Sequence, residues 1–170
     1  MSKALIPVTV VTLIMVALQL SILSPLRLWG VVVMLVWLWP FSLGLGGYTM
    51  LSLWSAIVAG IFFDTHAVTP FGLTAVVGVI LAYGASRLGK EGVGDLDSAA
   101  WWVTPALGAG AGFFAPLLYV FGGFVTLHFS MWRAGTLASM GVNAIAFLIL
   151  ARPVARIARY VGNIGARARR

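Results

Sequence analysis

The chain alternates between long apolar runs and short polar breaks. Ala4 to Leu23 is one run, interrupted only by isolated hydroxyls and Gln19. Ser24-Pro25 ends it, and Arg27 marks the boundary. From Leu28 to Phe63 there are 36 residues without a charge. As a single helix they would reach about 54 Å, against a hydrocarbon core of ~30 Å. "PFSLGLGGY", residues 40–48, places a proline and three glycines near the middle, a turn signal that splits the run into spans at about 28–41 and 47–63. Thr69-Pro70 has the form of an N-cap followed by a first-turn proline and predicts a helix over 70–88. "GKEGVGDLDS", residues 89–98, is a wet loop, and further helices follow at about 99–126, with Pro105 and Pro116 inside, and 135–151. The pattern predicts an all-α membrane protein with six transmembrane helices, a membrane domain over 1–151 and a basic cytoplasmic tail over 152–170. The alternating segments of a membrane barrel do not occur.

Composition supports that class. Hydrophobic residues make up 61% of the 170 and charged residues 9%, too few to cover a water-facing surface, where about 25% is usual. The chain has no cysteine, which excludes thiolate metal sites and a cysteine nucleophile. The first run has a short basic start like a signal peptide, but it is too long and lacks a cleavage site, so it is read as a retained helix.

Charge then sets the orientation. With six helices, both termini and the 89–98 loop share one side, which carries Lys3, Arg87, Lys90, Arg152, Arg156, Arg159, Arg167, Arg169 and Arg170. Only Arg27 and Arg133 fall on the other side. The positive-inside rule places the crowded side, and both termini, in the cytoplasm. Five helices would strand the tail arginines outside. Trp101 and Trp102 on the inner side, with Trp29, Phe129 and Trp132 on the outer, read as aromatic belts. A membrane flank explains the basic tail more simply than nucleic-acid binding, because no basic domain interleaved with aromatics exists. Arg152, Arg156 and Arg159 recur on one helical face and suit either an amphipathic segment on the inner-leaflet lipid or a frayed anchor of positive charge.

Candidate chemistry is sparse. The sequence contains no HExxH, GxSxG or phosphate-loop signature, so no catalytic residue, cofactor or metal site is expected. Asp64 stands out as the one acid between Met1 and Lys90. It fits a proton or ion ligand, or an acceptor for backbone N–H groups in the turn toward Thr69. His66 is near enough to pair with it, and His128 has no neighbour in sequence to work with. Small residues recur at four-residue spacing in Ala56/Gly60, Ala106/Gly110 and Gly108/Gly112. Such pairs let another backbone approach closely, either within the bundle or on a face that docks a partner's helix.

Taken together, the pattern resembles the MreD family of bacterial rod-shape-determining integral membrane proteins. The resemblance spans nearly the whole chain in size, hydropathy and basic ends. Its specific part is Gly60, Asp64, Gly72 and Leu73 in "AGIFFDTHAVTPFGLTAV". It implies a non-enzymatic scaffold in the bacterial inner membrane, serving cell shape and lateral peptidoglycan synthesis. The implied partners are a single-span MreC-like protein and, through it, the MreB cytoskeleton, RodA and a class B penicillin-binding protein. That family is in turn similar to the six-helix substrate subunits of energy-coupling-factor vitamin transporters, which gives an alternative function. A vitamin pocket would draw on Asp64, His66, His128, Trp132 and Arg133. In the corner around Asp64, Gly60 is expected to admit a neighbouring helix, Asp64 to accept N–H groups where the third helix ends, Thr69-Pro70 to restart the chain, and Gly72 to pack closely.

Overall fold

The computed structural model describes residues 2–24, 31–66, 70–92, 101–127 and 134–167. Among them there are six helices and no β-strand: α1 (Ser2–Leu18), α2 (Leu35–Leu45), α3 (Thr49–Asp64), α4 (Leu73–Arg87), α5 (Val103–Leu127) and α6 (Ala134–Arg167). π-Helical turns extend α1 to Leu23 and α4 to Gly92. Among the described residues, three helical stretches, Ala4–Leu23, Val103–Val125 and Gly135–Asn163, are long and apolar enough to cross a membrane.

Five helices form a closed ring in the order α1, α3, α4, α5, α6, and α2 stands inside it, touching all five. A helix that is apolar all round must be buried, and α2 obeys this: its residues from Val36 to Leu45 are all buried. Trp37, Leu38, Trp39 and Leu43 make it the centre of the core. The expected 28–41 span is therefore corrected. α2 begins at Leu35, runs through Pro40 and ends in the turn at Gly46 and Gly47. A proline can bend a helix without ending it. Gly47, at φ +79°, marks where the chain reverses.

Two other expectations shift. α4 starts at Leu73 rather than Pro70, because Gly72, at φ +87°, is its N-cap in a left-handed conformation that no helical interior permits. α6 does not stop at 151 but continues through Pro153 to Arg167, so the backbone has no boundary between a membrane domain and a tail there. Its apolar face explains the continuation: Ala151, Val154, Ala155, Ala158 and Val161 stay buried. Pro105 lies in the first turn of α5, where its missing N–H has no partner to lose, and Pro116 lies within the helix.

The two ends of the bundle can be told apart. At one end Gly89 packs on Leu45, Tyr48 lies against Gly162 and donates to Asn163, and Arg152 covers Trp101. Thr9 and Thr12 of α1 meet Trp54 and Ser55 near the start of α3, so α1 begins at this end too. Asp64 closes the opposite end of α3.

Candidate functional site

Two polar arrangements stand out in the apolar interior. The first is the corner between α3 and α4. Gly60 lies on α3 so close to α4 that a Cβ there would overlap the backbone of Ala75. One turn earlier, Ala56 faces Gly78 of α4. This contact brings the end of α3 beside the start of α4. Asp64 is buried there, and its Oδ2 accepts from the N–H of Gly72 at 2.8 Å and of Thr74 at 3.1 Å. The first N–H groups of a helix have no partner within the helix, and its positive end favours a carboxylate. Asp64 thus caps α4 from another helix. The expected partners, in the turn toward Thr69, are replaced by groups three to five residues later, because Gly72 delays the start of α4. Leu73 packs its side chain against Gly122 of α5, and the Trp37 indole donates to the carbonyl of Thr74 at 3.2 Å. One corner therefore joins α2, α3, α4 and α5.

Of the residues expected to attend Asp64, Pro70 accepts from the N–H of Leu73, and Thr69 lies outside the described residues. His66 is exposed, and its Nδ1 lies 2.9 Å from both the Phe62 carbonyl and the Thr65 hydroxyl. His128, Trp132 and Arg133 lie outside the described residues. Among the described residues no group of three or more His, Asp or Glu can hold a metal ion.

The second arrangement was not legible as a site in the sequence. Residues 31–34, just before α2, are not helical. Two fully buried amides hold them. Gln19 donates to the Val33 carbonyl at 2.8 Å and accepts from the Leu35 N–H at 2.7 Å. Asn143 accepts from the Met34 N–H at 2.8 Å and donates to the carbonyls of Val32 and Ser139. Two side chains from α6 and the π-turn after α1 thus satisfy Val32, Val33, Met34 and Leu35. Irregular backbone at membrane depth is tolerated only where protein or water satisfies it. Lower in the bundle, Thr12 accepts from the Trp39 indole and pairs with Ser55, while Ser52 donates to the carbonyl of Pro40. The sequence signal for all of this is lone polar residues inside apolar runs, which in a membrane need a named partner.

The small-residue pairs divide. Gly108 and Gly112 pack on α6, at Ala151 and Asn143, and Ala56 and Gly60 pack on α4. These four are occupied within the bundle and offer no face to another protein. Ala106 is exposed, and a Cβ at Gly110 would meet open space. Arg152 and Arg156 are exposed and Arg159 is half-buried. Near Arg159, burial pushes the Tyr48 phenol above its ordinary range, with the arginine pulling the other way.

The chain matches no protein-family model, no curated protein and no solved structure.

Proposed function

We propose that this chain is a non-enzymatic membrane scaffold of the MreD type. In this reading it crosses the bacterial inner membrane six times, keeps both ends in the cytoplasm and binds an MreC-like single-span partner. One observation carries the reading: the residues of the resemblance form a single built corner. Gly60 touches Ala75, Asp64 caps α4 at Gly72 and Thr74, and Leu73 reaches α5. The spacing of the motif has a physical reason, since a glycine one turn before the aspartate lets α4 come near enough to be capped. The gathering of the start of α1, the Leu88–Gly92 turn and the arginines of α6 at one end supports an even number of passes.

The test is recovery of an MreC-like protein co-expressed with the tagged full chain and solubilised in mild detergent. Recovery that survives high salt is the expected result. A cytoplasmic reporter fused after Arg170 should be active and a periplasmic one silent. No recovery, combined with micromolar binding of riboflavin, biotin or thiamine by calorimetry, would replace the scaffold with a transporter substrate subunit.

A further inference from the structure

We propose that the outer edge of α6 binds an anionic phospholipid, with the arginines on its phosphate and the aliphatic residues one turn away on its acyl chains. The inference rests on the membrane reading and not on the identity of any protein partner.

The edge is continuous in helical register. Ile145, Leu148, Ile149, Arg152, Arg156 and Arg159 follow at intervals of three, one, three, four and three. Residues at such spacing lie above one another on one face. Ile145, Leu148 and Ile149 are 59%, 46% and 66% exposed, and Arg152 and Arg156 are exposed beyond them. The opposite face, from Phe147 to Val161, is packed into the bundle. The edge thus presents an apolar strip that turns basic from Arg152 onward.

The basic part is already shaped for a phosphate. The Arg152 guanidinium lies over the Trp101 ring, 5.6 Å from its centre. Stacking on an indole restrains an arginine whose fork would otherwise sample many rotamers. Arg156 follows one turn on, so two forks can converge on phosphate oxygens, the geometry that distinguishes arginine from lysine. The level suits a headgroup: Trp101 and Trp102 are 71% and 57% exposed, and Tyr160 73%. Indoles and phenols settle where one side is apolar and the other wet. A soluble phosphorylated ligand would use the arginines but leave the Ile145–Ile149 strip without a role.

The experiment is competitive lipid retention, read by native mass spectrometry on the purified full chain with equal phosphatidylglycerol and phosphatidylcholine. Phosphatidylglycerol should be retained about tenfold better, because the quaternary ammonium of phosphatidylcholine compensates its phosphate and is repelled by the two arginines. Arg152→Gln with Arg156→Gln should abolish the preference, and Arg152→Lys with Arg156→Lys should lose most of it. Trp101→Leu should weaken it, and Lys90→Gln, which removes one charge at the same end, should leave it intact. All these side chains are exposed, so the variants should remain folded, as circular dichroism would check. The proposal is overturned if the two lipids are retained equally. It is also overturned if the lysine pair or Lys90→Gln behaves as diffuse charge would require, or if millimolar inorganic phosphate displaces the lipid. None of these results touches recovery of an MreC-like partner.

Discussion

Replacing Gln19 by leucine tests whether the bundle depends on the buried amide that holds the chain before α2. Leucine has nearly the same volume and suits an apolar site, so packing changes little. What disappears are two hydrogen bonds, to the Val33 carbonyl and from the Leu35 N–H. The buried Val33 carbonyl and the part-buried Leu35 N–H then lose their partner. Each unpaired group costs about 1–3 kcal/mol, roughly 2–6 for the two. Removing the amide also removes the cost of burying it, so the net loss falls toward the lower half, about 2–4 kcal/mol. For a chain of this size that corresponds to a fall in Tm of roughly 5–15 °C. The assay is thermal unfolding of the purified protein in detergent, followed by tryptophan fluorescence, since Trp37 and Trp39 sit at the centre of α2. Asn143→Leu should act similarly, and the double variant should fall short of the sum, because both amides hold the same four residues. A Gln19→Leu protein within about 0.5 kcal/mol of the parent would show that the segment finds other partners and refute the clamp.

Two further outcomes follow from the corner. Gly60→Ala forces a methyl group into the backbone of Ala75, and overpacking of this kind costs about 1–3 kcal/mol, while Gly110→Ala, facing open space within α5, should stabilise by up to about 1 kcal/mol in the same melt. Asp64→Ala removes the cap from two N–H groups and should cost on the order of 2 kcal/mol and weaken recovery of an MreC-like partner, whereas Asp64→Asn retains an acceptor and should be mild. If Asp64→Ala left stability and recovery intact while Asp64→Asn abolished function, the charge and not the cap would matter.

The helical class and most of the helix positions were legible, because the length of an apolar run is set by the thickness of a bilayer. The role of α2 was not. Apolar residues facing lipid and apolar residues facing protein look alike in sequence, so an uncharged run of 36 residues does not say which part is central. The partners of its lead-in are also remote: Met34 and Asn143 are 109 positions apart. Asp64 was legible as a lone acid near a helix end. The N–H groups it serves were misplaced by a few residues, because a glycine at positive φ resets the start of α4. The arginines at the end of α6 give it the charge pattern of a tail. The alanines and valines between them, at helical spacing, carried the contrary signal.

The position of the α2 N-terminus bears on which function the fold can serve. A half-helix beginning inside a bundle points its positive end at the interior, and transporters use such ends to hold anionic substrates. Here that end is closed by the protein itself. Asn143 takes the Met34 N–H and Gln19 takes the Leu35 N–H. An anion arriving at this place would have to displace two buried amides whose other atoms are engaged with Val32, Val33 and Ser139. Displacement would leave several polar groups unpaired at once, a cost that ordinary small-ligand contacts do not offset. The α3–α4 seam is closed in the same sense, since its small residues already hold each other. Among the described residues, the centre and the tightest seams are thus held by the bundle's own side chains, and the open positions lie outside, on the Ala106–Gly110 side of α5 and along the edge of α6.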